Sequence, residues 1–423
     1  MRMYALVDCN NFFVSCERSG DPSLDYKPVV VLSNNDGNAV ARSQEAKDLG
    51  IKMGQPAFEL KGLIKSKGLI MMSSNYQLYG DMSDRVFNIA SSFGLGEPER
   101  YSVDELFIFC NGSNSEYLQI KGMEMHKKIF KSTRIPVSVG FAPTKALAKI
   151  ANKIAKKYPE RCQNSYIIDT EEKRVKALKW TKVEDVWGIG SAYAGMLKQR
   201  NVITAYDFTQ LPDKWVKSKM KIVGLRLKKD LQGISSIFME DIKPKQGIMT
   251  SRSFSKTTDS YDFIKERTYT YGVWASEKLR KEKSRCTTIT VSLGTNYHNK
   301  TDRQRFVSIT KTLDFPTSSS IEIGKQAVSV LERLYHEGYR YKKVSVYLSG
   351  ITPEQNSQLS FFNCENPKET VLMKVIDGIN LRHGKNSVVF GGMDIKSLVK
   401  LRQENLSKKY TTSWNELISI NCK

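Results

Sequence analysis

The sequence predicts an α+β protein of several domains. Three observations carry this. Strand-like apolar runs mix with amphipathic helical segments over the first ~165 residues. A helical, lysine-rich stretch follows to about 240, and strands mixed with helices return from 248. At 423 residues the chain is long enough for two to four domains.

The elements follow in order. "MYALVD" (3–8) reads as a buried strand ending on an acid, Asp8, and "PVVVL" (28–32) as a second strand closed by the turn-rich "SNNDGN" (33–38). "YSVDELFIFC" (101–110) sets Asp104 and Glu105 at the head of a run that is apolar on both faces from Leu106, as in a central strand. Strand side chains alternate between faces. If residues 101–105 form a hairpin turn, both acids can face one site. If a regular strand starts at Tyr101, Asp104 faces the site and Glu105 faces away. "IPVSVGFA" (135–142) is a further strand, after which Pro143 and Thr144 introduce the helix "KALAKIANKIAKKY" (145–158). Lys145, Lys149, Lys153 and Lys157 line one face of it, opposite Leu147, Ile150 and Ile154. The lysine row fits a solvated face or a phosphate-binding one.

"DVWGIGSAYAGMLKQRNV" (185–202) and "KWVKSKMKIVGLRLKKD" (214–230) read as helical. Further on, "TTITVSL" (287–293) and "KKVSVYLSG" (342–350) read as strands. "YTYGVWASEKLRKEKSR" and "IGKQAVSVLERLYHEG" read as helices, and the final ~70 residues as less regular.

The charge balance, 66 Lys+Arg against 44 Asp+Glu or +22 net, favours a polyanionic partner, because neutralised phosphates release counterions. Seven cysteines are scattered with no Cys-x-x-Cys spacing, and the four histidines are isolated. This argues against a disulfide framework or zinc site and for a reducing compartment. The N-terminal "MRMYALVDCNN" lacks the apolar segment of a signal peptide, and no apolar run reaches membrane-spanning length. A soluble, cytoplasmic protein is expected.

Three motifs carry chemistry. Asp8 and the Asp104–Glu105 pair stand at strand ends, where carboxylates can hold the paired hard cations of phosphoryl transfer; acids at strand ends are also common turn residues. "VWGIGSAYAGML" (186–197) has the hydrophobic-Gly-hydrophobic-Gly turn of a helix-hairpin-helix. There Gly188 and Gly190 let backbone N–H groups approach a phosphate, with Lys198 nearby; the same spacing also makes a plain helix turn. "QLSFF" (358–362) offers Gln358, Leu359, Phe361 and Phe362 as an anchor for an apolar pocket on a partner, or as a small tail core.

Taken together, "LVDCNNFFVSCE", "KPVVVLSNNDGNAVARSQEAKDLGIKMG", "SSNYQLYGDMSDRV", "YSVDELF", "VSVGFAPTKALAKIANKIAKK", "VWGIG", "QLSFF", "VIDGINLRHG" and "YTTSWNEL" resemble the Y-family translesion DNA polymerases, specifically the UmuC branch that supplies the catalytic subunit of polymerase V. The resemblance spans essentially the whole chain. It implies a right-hand polymerase: a ferredoxin-like palm (1–10 and 76–165), small fingers (11–75), a helix-hairpin-helix thumb (166–240), an α/β little finger (241–352), and a clamp-binding motif with a tail (353–423).

The resemblance also implies roles. Asp8 and Asp104 would bridge two Mg²⁺ ions, with the Cys9 backbone carbonyl as a further ligand and Glu105 on the side of the primer 3′-hydroxyl. Phe13 would be the steric gate that crowds a ribose 2′-hydroxyl, beside Asn11 and Phe12 in the nucleotide site; from the residues alone, Phe12 and Phe13 can both be core. Lys156 would contact the incoming triphosphate. Gln44 and Lys47 stand where many relatives carry a triphosphate-binding Tyr and Arg, and Asn38 where close relatives carry Cys. "QLSFF" resembles the sliding-clamp motif with Phe361 in place of the more usual Leu. The implied partners are primer-template DNA, dNTP, the sliding clamp, a RecA-type filament and a UmuD-like homodimer, at a nucleoid-associated location. Two competing expectations are a non-catalytic DNA and clamp adaptor, which has no need of the three acids, and a two-metal nuclease.

Overall fold

The computed structural model describes residues 2–111, 114–238, 244–354, 367–393 and 402–417. It divides into two units, residues 1–240 with 401–423, and residues 241–400.

The first unit runs through β1 (Arg2–Cys9), α1 (Phe12–Gly20), β2 (Val29–Leu32), β3 (Ala39–Arg42), α2 (Gln44–Asp48), α3 (Ala57–Lys67), β4 (Ile70–Ser73) and α4 (Tyr76–Ser91). It continues with β5 (Gly96–Arg100), β6 (Glu105–Asn111), α5 (Ser115–Thr133), β7 (Val137–Ala142), α6 (Lys145–Lys157), α7 (Pro159–Cys162) and β8 (Ser165–Ile167). Helices α8 (Glu171–Trp180), α9 (Ser191–Lys198), α10 (Ala205–Gln210) and α11 (Asp213–Leu231) follow.

β1 lies in the middle of a five-stranded sheet of order β5-β6-β1-β7-β8 and is antiparallel to both neighbours. Its position follows from its composition, apolar on both faces. Met3, Ala5, Val7 and Cys9 join a core with residues of α1, α4 and α5, while Tyr4 and Leu6 join a second core with α6 and the helices after it. Asn152 of α6 donates to Leu6 O (3.2 Å) and Ser138 O (2.6 Å), tying the helix to the backbones of β1 and β7. A smaller sheet of order β3-β2-β4 has its own core around Val30, Leu32, Leu60 and Leu69.

Residues 402–417 belong to this first unit and run across β4 and α4. Ser73 N donates to Asn405 O (2.9 Å), Asn405 N to Ser73 Oγ (3.1 Å) and Glu404 N to Asp36 Oδ2 (3.0 Å). The Tyr410 ring packs on the core shared by β1, α1 and α4.

The second unit contains β9 (Gly247–Thr258), α12 (Tyr261–Lys281), β10 (Ser284–Thr295), β11 (Phe306–Thr317), α13 (Ser320–Leu334), β12 (Tyr341–Ser349), β13 (Thr352–Pro353) and α14 (Pro367–His383). Its sheet has the order β11-β10-β12-β9, and α12 and α13 contribute Tyr271, Leu279, Ile323 and Leu331 to the core against it. α14 corrects the expectation of an irregular tail. Its Met373 is buried, and Arg280 grips Asp377 through two bonds of 2.7 and 2.8 Å. Among the described residues five cysteines are free, and no helix is long and apolar enough to cross a membrane.

Candidate active site

The start of β6 resolves the alternation question. Tyr101–Asp104 form a turn, with Tyr101 N and Ser102 N donating to Glu105 O, and the strand begins at Glu105. Glu105 is paired with Asp8 across the β1–β6 ladder, so both side chains leave the same face of the sheet. Asp104 lies outside the regular alternation; its carbonyl accepts from Cys9 N (2.9 Å) and its carboxylate accepts from Ser102 Oγ (2.5 Å). The turn therefore brings three acids to one end of the sheet.

α6 faces them. Lys156 Nζ donates to Asp8 Oδ1 (2.7 Å), and Lys149 Nζ donates to both oxygens of Glu105 (2.7 and 2.9 Å). Burial pushes the Glu105 carboxyl above its ordinary range, Lys149 opposes the shift, and Asp8 and Asp104 add to it. Buried among these acids, the Cys9 thiol is raised well above its usual value. The carboxylates thus repel one another and are compensated only in part by lysines, which is a donor set suited to hard divalent cations. Among the described residues, no group of three or more His, Cys, Asp or Glu side chains is arranged so that it could hold a metal ion as the side chains stand.

The lysine row needs correction. Lys145 is buried, at 3% exposure, on Glu99 (2.5 Å); Lys149 holds Glu105; and Lys153 pairs with Asp185 (2.9 Å). Lys157 lies over the Trp180 ring. Three of the four make ion pairs within the fold, and the lysine that reaches the Asp8 end, Lys156, lies off the row.

Beside the acids is an open cleft of ≈ 220 Å³ lined by Cys9, Asn11, Phe12, Phe13, Arg42, Lys47, Asp104 and Lys156, with Val40, Ala41 and Met53. Asn11 takes a left-handed conformation (φ 51°) just before α1, and its side chain accepts from Lys47 Nζ (2.5 Å). Burial, together with nearby Lys156 and Arg42, holds the Lys47 ammonium below its usual pKa. Phe12 is buried, as a core reading would have it, whereas Phe13 is half-buried at the cleft and stacks on Tyr79 (4.4 Å, 15°). Gln44 does not line the cleft; it donates to Asp48 one turn along α2 (2.8 Å).

Gly188 has φ +83°, a region that favours glycine, and Gly190 directly precedes α9. Lys198 is engaged by Glu184. Trp187 Nε1 donates to Tyr101 OH (2.9 Å), which joins this turn to the one that carries Asp104. Gln358, Leu359, Phe361 and Phe362 lie outside the described residues. Three residues at the site escaped the sequence reading. Arg42 and Tyr79 stood only inside the runs "KPVVVLSNNDGNAVARSQEAKDLGIKMG" and "SSNYQLYGDMSDRV" with no role of their own, and Lys149 only as one member of the lysine row.

Comparison with known proteins places this geometry. Residues 7–153 match the model described as the impB/mucB/samB family, and residues 245–361 match that family's C-terminal domain. Residues 370–420 match a model described as a domain of unknown function (DUF4113). Protein UmuC of Salmonella typhimurium is 34% identical over 99% of this chain and 100% of its own length. DNA polymerase IV of Bacillus velezensis is 24% identical over 96% of both chains. A Y-family DNA polymerase chimera, Dbh-Dpo4(243-245)-Dbh, shares the fold with a TM-score of 0.66 at 21% identity, covering 83% of this chain and 99% of that one.

Proposed function

The chain belongs to the impB/mucB/samB family, the UmuC branch of the Y-family DNA-directed DNA polymerases, and from that premise we propose that it extends primers across damaged template with low fidelity by two-metal nucleotidyl transfer. The observation that carries the chemistry is the gathering of Asp8, Asp104 and Glu105 at the adjoining ends of β1 and β6, next to a cleft with cationic walls. In the reaction the primer 3′-oxygen bonds to the α-phosphorus of a dNTP and the bond to pyrophosphate breaks.

Asp8, Asp104, Glu105 and the Cys9 carbonyl would hold two Mg²⁺ ions, whose contribution is to stabilise the attacking and leaving oxygens. Lys156 exchanges its bond with Asp8 for the triphosphate. Lys47 and Arg42 add positive charge at the far wall, Lys47 as a point charge without a bidentate fork. Phe13 crowds the sugar 2′ position and so selects deoxynucleotides, with Asn11 and Phe12 shaping the floor.

We assign palm, fingers, thumb and little finger the boundaries expected from the sequence, while the expected tail is divided, residues up to 400 going with the second unit and 401–423 with the first. The glycines of the 186–190 turn contact DNA phosphate without reading bases. Gln358, Leu359, Phe361 and Phe362 dock on the sliding clamp, and a RecA-type filament and UmuD-like homodimer assist at the nucleoid. Primer extension on damaged and undamaged templates, with clamp and filament present, tests the reading. Magnesium-dependent extension that Asp104→Ala abolishes is expected. A pure wild-type preparation that never extends a primer overturns it, as does shortening of labelled DNA irrespective of nucleotides.

A further inference from the structure

Phe13 is held from behind. Its ring stacks on Tyr79, which is 1% exposed, and the Tyr79 hydroxyl donates to Glu17 Oε1 at 2.5 Å. Glu17 is itself 1% exposed, and its second oxygen, Oε2, lacks a hydrogen-bond partner among the described residues. Burial pushes this carboxyl up in pKa, opposed by the Tyr79 hydroxyl. A buried carboxylate so placed is costly unless neighbouring donors fix it. The segment 402–417 passes close to this carboxyl at Ser407 and Tyr410.

That segment is anchored at several points. Asn75 Nδ2 donates to Ser407 Oγ (3.0 Å) while Asn75 Oδ1 caps α4, the helix that carries Tyr79. Arg402 N donates to Asn35 Oδ1 (3.1 Å) and Gln403 Nε2 to Ser74 O (2.9 Å). The Tyr410 ring lies against Gly20 at the end of α1, the helix that carries Phe13 and Glu17. A Cβ at Gly20 would stand 2.4 Å from Tyr410 Cε2, so only glycine leaves room for the ring. The segment therefore bridges the two helices whose spacing sets the Phe13–Tyr79 stack.

We propose that residues 402–417 are a positioning strap for sugar selection: Ser407 holds Asn75 at the start of α4, Tyr410 holds the end of α1 at Gly20, the two helices so fixed keep Glu17 on Tyr79, and Tyr79 fixes the ring of Phe13. The proposal rests on the reading of Phe13 as the sugar gate. Glu17, Tyr79, Ser407 and Tyr410 are positioning residues, since none of them lines the cleft. A gate ring works through sub-ångström placement against the 2′ carbon, so loosening its support costs discrimination before it costs insertion.

The experiment is single-nucleotide insertion by the full chain, comparing kcat/KM for a dNTP and its ribonucleotide counterpart on one primer-template. Phe13→Ala should lower the deoxy-to-ribo ratio by about a hundredfold. The double variant Ser407→Ala/Tyr410→Ala should lower it by about tenfold while dNTP insertion stays within about threefold of wild type, and Tyr410→Phe should preserve it. Tyr79→Phe keeps the stacked ring but removes its bond to Glu17. It should also lower the ratio, and it reads the same coupling should the double variant fail to fold. A ratio unchanged in Tyr79→Phe and in any folded strap variant, with Phe13→Ala discriminating poorly, overturns the strap and leaves the gate standing. A ratio unchanged in Phe13→Ala overturns the gate reading, and the strap with it.

Discussion

Replacing Lys149 with methionine removes the cation that faces Glu105 while keeping a long apolar stem among Tyr101, Phe107 and Trp187, whose rings lie 4.6, 5.8 and 5.4 Å from its ammonium. Both partners are largely buried, with side-chain exposures of 16% and 18%. At an effective dielectric near 20, unit charges about 3 Å apart attract by about 5 kcal/mol. The substitution returns only the desolvation of the lysine and leaves Glu105 buried without its counter-charge, so the net loss at neutral pH should be about 3 kcal/mol.

The sign of the pH dependence follows from Glu105. Its carboxyl is already raised by burial, so the native state binds its proton more readily than the unfolded chain does, and this group costs stability as pH rises above the unfolded value. Without Lys149 the shift grows. The deficit of Lys149→Met should therefore widen as pH climbs from about 4.5 towards 8 and narrow towards acid, where the carboxyl is neutral in both states. The acid limb of primer extension should move to higher pH in parallel. Urea unfolding at several pH values, with pH profiles of kcat/KM, checks both. A deficit constant from pH 5 to 8, with an unmoved acid limb, would falsify the assignment of Lys149 as the counter-charge of Glu105.

Three further outcomes are expected. Asp104→Ala should reduce primer extension by about a thousandfold or more while the melting temperature holds, because electrostatic stabilisation of the transition state dominates such sites; gel-based extension with a thermal melt reads it. Lys156→Met should raise KM for dNTP about tenfold, more than it lowers kcat, and should also loosen Asp8, seen in steady-state kinetics. Gly188→Ala should cost about 1–2 kcal/mol from its positive φ and weaken DNA binding without changing the salt slope, measured by denaturation and by anisotropy titration across salt.

Asp8 was legible because a buried strand that ends on an acid is a local pattern. Asp104 was legible too, since either course of the chain through 101–105 left it facing the site. Glu105 was not, because its face depends on where β6 begins, and that is set by Tyr101 N and Ser102 N turning back onto its carbonyl. The lysine row shows the reach of periodicity. Spacing of four fixes which residues share a face of α6, but Glu99 and Asp185 arrive from β5 and from the turn before α9, far away in sequence. α14 escaped notice because only Met373 and Ile376 of its seventeen residues are buried, so no wide apolar stripe marks it. The contacts of 402–417 leave no trace at all in composition, since they are mainly polar bonds between residues more than three hundred positions apart.

The segment 402–417 also sets an order of events in synthesis. Its partners Gly20, Asp36, Ser73 and Asn75 leave the ribosome early, and the segment itself follows only after the whole of the second unit. At about 5–20 residues per second the roughly 325 residues between Asn75 and Arg402 take about 16–65 s. Throughout that interval α1 and α4 lack the segment that bridges them. A chain cut short before Arg402 retains β1, β6 and all three acids yet lacks the strap. Premature termination or proteolysis would then release a polymerase core with altered sugar choice, rather than an inert fragment.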